Sequence, residues 1–149
     1  MRLVILALIA LAAPAFAAAS PAEKPAAACL ASAQDAGSDV SHCVGLIAAA
    51  CKKSGGDDAD CAKKELAFWQ AELGTAWKEA KPLLAGYPDL AHDQTAAQAL
   101  WLQYRDKSRA IADKVDPGTM PGGSAACRMR ETAARAIAVR SIVDSLSEH

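Results

Sequence analysis

Apolar residues recur at three- and four-residue steps along one long segment, from about Ala59 to Leu84. The charged side chains of this segment fall mainly on other faces of a helical projection, so the period predicts an amphipathic helix. Pro82 is expected to disturb or end its last turn, because proline lacks a backbone N–H. The recurring apolar positions are Leu66, Trp69, Leu73, Trp77, Ala80 and Leu84.

A second segment, Ala97–Asp106, reads AQALWLQYRD and contains neither glycine nor proline. It predicts a helix that is capped by Asp89 or Asp93 and runs to about Val115. Large side chains at helical spacing usually belong to a core, so we expect this motif to form a structural hub of the bundle. The side chains expected to do so are Gln98, Trp101, Tyr104, Arg105 and Asp106.

The arrangement of the charged pair within this motif, Arg105 and Asp106, can also be predicted. Arg105 and Asp106 are adjacent, and adjacent helical side chains point about 100° apart, so the two should not pair with each other. Arg105 is expected to contact a carboxylate or carbonyl groups of a neighbouring helix, and Asp106 a helix terminus or Arg135. On this interpretation Arg105→Ala strands a buried charge and unfolds the domain, at a cost of about 3–5 kcal/mol.

The remaining segments also predict helices. Two short helices are expected, from about Cys29 to Ala36 and from a capping Asp39 or Ser41 to Ala50. A final helix is expected from about Ala125 to Leu146, and no segment alternates convincingly in the manner of a strand. The predicted fold is all-α: an up-down bundle of three main helices, preceded by a short disulfide-tied N-terminal helical cap.

The N-terminus has the features of a secretory signal peptide. Arg2 precedes an unbroken apolar run, and Ala15 and Ala17 supply small residues for cleavage near Ala17. The apolar run is too short to span a bilayer easily, so no stable membrane insertion is expected after cleavage. We therefore predict a signal peptide at 1–17, a flexible lead-in at 18–28, a helical domain at 29–149 and a periplasmic or secreted protein.

The chain contains five cysteines, which export would place in an oxidising compartment where disulfides persist. The odd number leaves one thiol free, intermolecular or available for other chemistry. Cys43 and Cys51 would lie about 12 Å apart on a continuous helix, so either the helix breaks near Gly45 or each cysteine pairs elsewhere. One arrangement joins Cys61 to Cys127 and leaves the others to compete for a second bridge. All five are candidate disulfide cysteines: Cys29, Cys43, Cys51, Cys61 and Cys127.

Composition and motifs argue against several functions. The chain has 149 residues and a formal charge of −1, with no basic stripe of the kind that binds nucleic acid. His42, His92 and His149 are scattered, and no nucleophile elbow or phosphate-binding glycine loop is present, so no catalytic residue and no cofactor are predicted. His42, Cys43, Cys51 and Cys61 could in principle hold zinc, but the tight C-x-x-C spacing of such sites is missing, so no metal is predicted.

Several motifs occur in an order that resembles the LprI-like lysozyme-inhibitor family of small secreted bacterial proteins. AQALWLQYRD is similar to the family's Ala-Gln-x-x-Trp-x-x-Tyr/Phe-Arg-Asp helix, and the stretch from Trp69 to Trp77 lies where the family shows Asp-x-x-Leu-Asn-x-x-Tyr. The likeness covers roughly Cys43 to Leu146. Its other matching residues are Cys43, Gly45, Cys51, Cys61, Gly122, Gly123, Ser124, Cys127, Thr132 and Arg135.

The chain departs from the family pattern at three places. Lys107-Ser108-Arg109 occupies the position where the family has a cysteine, which would explain the odd number of cysteines. Gln70 and Gly74 replace an aspartate and an asparagine, so a polar contact between helices is expected to be rearranged. Trp77 replaces a tyrosine and removes a hydroxyl group.

The resemblance implies an exported protein that acts by binding a lysozyme. The alternative is a non-inhibitory structural or interaction module that binds another protein of the cell envelope. Lysozyme cleavage uses two carboxylates, so a blocking segment would favour hydrogen-bond donors, small polar groups or a cation. The first candidate is the loop TMPGGS, represented by Thr119, Met120, Gly122, Gly123 and Ser124. The second is the polar segment from Ser54 to Asp60, whose aspartates could attract a basic enzyme.

Overall fold

The computed structural model describes residues 21–115 and 121–148 and contains five α-helices. They are α1 (Lys24–Asp35), α2 (Leu46–Lys53), α3 (Asp58–Leu84), α4 (Pro88–Ala112) and α5 (Gly123–Ser147), with a 3₁₀ turn at Val40–Cys43 between α1 and α2. No strand occurs in the described ranges. The all-α prediction is confirmed.

Helices α3 and α5 form the centre of the bundle and run parallel, whereas α4 runs antiparallel to both. Alanines at the contact, including Ala76, Ala80, Ala133 and Ala136, are almost fully buried. Small side chains let two helices approach closely, so the larger residues beside them interdigitate. Those larger residues are Leu66, Trp69, Leu73, Leu84, Met129, Val139 and Val143.

The long helix α3 agrees with the predicted period. It starts at Asp58 after Asp57, whose Oδ1 accepts hydrogen bonds from the backbone N–H groups of Ala59 and Asp60. Such a cap satisfies donors that have no partner within the helix. Pro82 lies inside the last turn, and the helix ends at Leu84.

The N-terminal cap consists of α1, the 3₁₀ turn and α2. Helix α1 begins at Lys24, and Ala26 is fully buried, so the prediction of a flexible lead-in up to residue 28 is wrong for its last five residues. The 3₁₀ turn is capped by Asp39, which accepts from the backbone N–H of Ser41. A separate helix, α2, then begins after Gly45, whose φ of +100° breaks the predicted continuous helix.

A buried carboxyl group, Glu65 of α3, organises the start of α2. Its two oxygens accept from the backbone N–H of Gly45 at 2.5 Å, from that of Ala48 at 2.8 Å and from the Trp69 indole N–H at 3.0 Å. Gly45 has no side chain with which to cap α2. Glu65 therefore supplies the cap from another helix, which orients α2 on α3.

Helix α4 lies on the outside of the bundle, packed mainly on α5 and less on α3. It starts at Pro88 after Tyr87, so neither Asp89 nor Asp93 is its N-cap. Ala112 is its one buried residue, although Trp101 and Leu90 pack partly against the core. The helix that carries AQALWLQYRD is thus a peripheral element.

None of the helices in the described ranges is long and apolar enough to cross a membrane. The predicted signal peptide, 1–17, lies outside the described residues.

Candidate functional site

Gln98 is the residue of the AQALWLQYRD motif that joins the three long helices. Its side-chain oxygen Oε1 accepts from the Trp77 indole N–H at 3.2 Å and from Nε of Arg135 at 2.8 Å. The Arg135 guanidinium also lies 5.6 Å from the centre of the Trp77 ring. Burial lowers the pKa of Arg135, because desolvation disfavours its charge. The indole N–H of Trp77 is thus the group of α3 that donates to Gln98, at the position where a tyrosine was expected from the family pattern.

Arg105 and Asp106 differ from their predicted arrangement. Their side chains form an ion pair with each other at 3.0 Å, and Arg135 contacts Gln98 instead of Asp106. The pair forms because the long arginine side chain folds back over Trp101, with its guanidinium 5.1 Å from the ring centre. Asp106 is 61% exposed and the Arg105 side chain 20%, so the pair is solvated mainly on the aspartate side.

We therefore expect Arg105→Ala to lower the free energy of unfolding by about 1–2 kcal/mol, because the ion pair with exposed Asp106 contributes little and the arginine also loses its packing on Trp101. Urea denaturation followed by circular dichroism measures this change. Lys107→Ala, an exposed neighbour on the same helix, is the control. A loss of about 3 kcal/mol or more would restore the original interpretation of Arg105 as a buried, bundle-holding residue.

The cysteines pair locally. Cys29 bonds to Cys43 and Cys51 bonds to Cys61, so the arrangement that joined Cys61 to Cys127 is wrong. Cys51 ends up beside Cys61 because α2 folds back against the first turn of α3. Cys127 of α5 is a free thiol, and burial raises its pKa, which lowers the thiolate fraction and the reactivity.

The three cysteines considered as zinc ligands, Cys43, Cys51 and Cys61, are all bonded in disulfides, and a different group lies around His42. Ligand atoms of Cys29, His42 and Cys43 lie within 4.8 Å of one another, but the two sulfurs are bonded together and provide no thiolate ligands. His42 faces the backbone oxygen of Asp39 at 2.6 Å, and His92 lies exposed on α4. His149 lies outside the described residues.

The two segments predicted to bind a partner meet at one end of the bundle. An open groove there is lined by the first residues of α3, the last residues of α4 and the first residues of α5; we call it the bundle-end groove. Thr119 and Met120 lie outside the described residues. The residues that line the groove include Asp57, Asp58, Lys63, Asp113, Gly122, Gly123 and Ser124.

Gly122 allows this meeting of helices. Its φ is +79°, and a Cβ atom there would lie 3.2 Å from the backbone oxygen of Asp58 and 2.9 Å from Cβ of Ala126. Glycine therefore lets the start of α5 lie directly against the start of α3. Gly123 and Ser124 already belong to the first turn of α5, whereas a loop was predicted up to Ser124.

The charges around the groove are partly compensated. Asp58 pairs with Lys52 at 2.5 Å, and Asp60 pairs with Lys63 at 2.8 Å. Asp57 is used as the cap of α3. Asp113 adds a further exposed carboxyl group at the end of α4. The groove therefore combines a modest excess of negative charge with the backbone donors at the start of α5.

The fold and these sites define a small helical-bundle protein with a disulfide-bonded N-terminal cap. This chain belongs to the lysozyme inhibitor LprI family, which it matches over residues 48–138. The match includes most of α2 and α5 and all of α3 and α4, and it confirms the resemblance found in the motifs. No curated protein and no solved structure matches the chain.

Family membership indicates the general kind of function and the compartment of this protein. The family is described as inhibitors, which agrees with the expectation of a binding protein rather than an enzyme. Two disulfides together with this family indicate a periplasmic or extracellular protein.

Proposed function

We propose that this protein is exported and inhibits a lysozyme by binding it as a folded protein. The observation that carries the proposal is the family match over residues 48–138. The disulfide-bonded cap supports it, because such a protein would keep its fold in the oxidising compartment where it would meet the enzyme.

The bundle-end groove is the contact surface that we propose. Helix α5 begins at Gly123 after its N-cap Gly122, which provides no side-chain cap, so among the described residues no side chain competes with an external acceptor for its first N–H groups. The positive end of the helix dipole lies at the same point and favours a carboxylate. A lysozyme cleft contains two catalytic carboxylates. Donors near Gly123 and Ser124 therefore match the chemistry of that cleft.

The carboxyl groups around the groove would act at longer range. Asp113 would attract the basic rim of an enzyme and steer the encounter, whereas the aspartates at the start of α3 are largely compensated by Lys52 and Lys63. Because Asp113 follows the last turn of α4, a lysine there suits the helix dipole and leaves the fold intact.

Asp113→Lys is expected to weaken inhibition by about 10-fold, because it replaces attraction by repulsion at the groove. The measurement is the lysis of bacterial cell walls by several types of lysozyme, with the purified oxidised protein added up to a large molar excess. Asp93→Lys is the matched control, with the same charge change on an exposed position near the other end of α4. Inhibition by the parent protein should depend on its molar ratio to the enzyme.

Two outcomes would contradict the proposal in different ways. If Asp113→Lys and Asp93→Lys inhibit as well as the parent, another surface makes the contact. If the parent inhibits none of the enzymes, the inhibitory function is rejected and the envelope-interaction alternative takes its place.

A further inference from the structure

The outer side of α4 carries a stripe of exposed apolar residues with no assigned role. Leu100 is 65% exposed, Tyr104 57% and Ile111 63%. Together with exposed Lys107 these residues follow one another at steps of four, three and four, which places them in one line along the helix. We call this line the α4 stripe.

The α4 stripe is separate from the side by which α4 contacts the bundle. The half-buried residues of α4 that turn inward, among them Gln98, Trp101 and Arg105, lie roughly 100° around the helix from the stripe. Tyr104 is held at the edge of α5 by a hydrogen bond from its hydroxyl group to Glu131, at 3.2 Å. The stripe therefore flanks the contact between α4 and α5 and faces solvent.

Steps of three and four residues put these four side chains along one seam of the helix, against which a second helix can pack. This seam is symmetric about the midpoint between Arg105 and Asp106. In an antiparallel pair of α4 helices, Leu100 of each copy would lie opposite Ile111 of the other, and Tyr104 opposite Lys107. We infer that two copies of this protein associate through the α4 stripe as an antiparallel, two-fold symmetric dimer.

The chemistry of the stripe is complementary to itself in this register. The aliphatic residues at the two ends, Leu100 and Ile111, would cover each other. In the middle, the Lys107 ammonium of one copy would lie over the Tyr104 ring of the other as a cation–π contact. In this register each group of the seam therefore meets a group of the other copy that suits it: aliphatic against aliphatic at the ends, and cation against aromatic ring in the middle. With three large apolar residues per copy, the contact is of the small, weakly associating class.

The first test is sedimentation equilibrium of the oxidised protein from about 10 to about 500 μM. We expect the parent to form dimers over this range and Leu100→Glu to raise the dissociation constant by about 30-fold, because it places a charge opposite an apolar residue at both ends of the seam. Leu102→Glu is the matched control, since Leu102 is an exposed leucine on another side of the same helix. Circular dichroism confirms that each variant is folded.

The second test addresses the antiparallel register by mixing two variants. Leu100→Glu alone and Ile111→Lys alone should each associate weakly. The dissociation constant of their mixture should be at least about 10-fold lower than that of either variant alone. The reason is that the heterodimer pairs the new glutamate with the new lysine and keeps one native Leu100–Ile111 contact. Mixing would also relieve like-charge repulsion in a parallel dimer, so the double variant Leu100→Glu/Ile111→Lys decides the register. It should dimerise if the helices are antiparallel, because glutamate then faces lysine at both ends, and stay monomeric if they are parallel, because like charges then face each other.

Several results would overturn this inference. They are a parent that stays monomeric over the whole range, a Leu102→Glu variant that dissociates as strongly as Leu100→Glu, and a mixture without recovery. A monomeric parent whose inhibition of lysozyme is lost in Leu100→Glu would assign the stripe to the enzyme instead. Dimerisation and inhibition are measured separately, so failure of one leaves the other standing.

Discussion

Replacement of Glu65 by glutamine is expected to lower the free energy of unfolding by about 3 kcal/mol, although the two side chains have nearly the same shape. Both carboxyl oxygens of Glu65 accept N–H groups, from Gly45, Ala48 and Trp69. An amide would put an NH₂ group where one oxygen now accepts, and two donors would face each other in a site with 0% exposure. A buried donor without an acceptor costs about 1–3 kcal/mol, and losing a bond to a charged group adds to it.

Thermal and urea denaturation measure this effect, which corresponds to a fall in melting temperature of roughly 10 °C. Glu79→Gln is the matched control, because Glu79 lies on the same helix and pairs with Arg140 near the surface. That control should cost less than about 1 kcal/mol. Equal losses for the two variants would show that Glu65 has no special role in holding α2 on α3.

Removal of the Cys51–Cys61 disulfide by a double substitution to serine is expected to lower the free energy of unfolding by about 3 kcal/mol. The bridge closes a loop of ten residues between α2 and α3, and opening it returns that conformational freedom to the unfolded chain. Cys127→Ser should change stability by less than about 1 kcal/mol, since Cys127 is a half-buried free thiol. Denaturation under non-reducing conditions compares the two variants.

Peptide mapping without reduction tests the pairing itself. Trypsin should release residues 54–63, which contain Cys61, linked to the N-terminal peptide that ends at Lys52. Residues 115–128, which contain Cys127, should appear unlinked. A linked pair of 54–63 and 115–128 would instead demonstrate the Cys61–Cys127 bridge and contradict the structure.

Local patterns were enough to predict the helices and several of their ends. The apolar period of α3 extends over seven turns, and Asp57 precedes it at a position where aspartate caps a helix. For Cys43 and Cys51 the sequence left two alternatives, a break near Gly45 or separate partners for the two cysteines, and the structure has both. The family motifs were likewise visible as residues in order, and the match over residues 48–138 agrees with them.

The role of AQALWLQYRD could not be obtained in the same way. Spacing shows which side chains share a face of a helix, but not whether another element covers that face. Helix α4 lies outside the pair formed by α3 and α5, so Leu100, Tyr104 and Ile111 remain exposed. The side chain that ties the three helices together is Gln98, a polar residue that an apolar period does not single out.

The sequence by itself thus determined the all-α class, the long helix α3 and the family, because each depends on residues close together in the chain or on their order. The tertiary structure alone decided the disulfide partners, the cap that Glu65 provides for α2, and the meeting of the starts of α3 and α5 in one groove. These features depend on distances between residues far apart in the chain, which are set by how the helices pack.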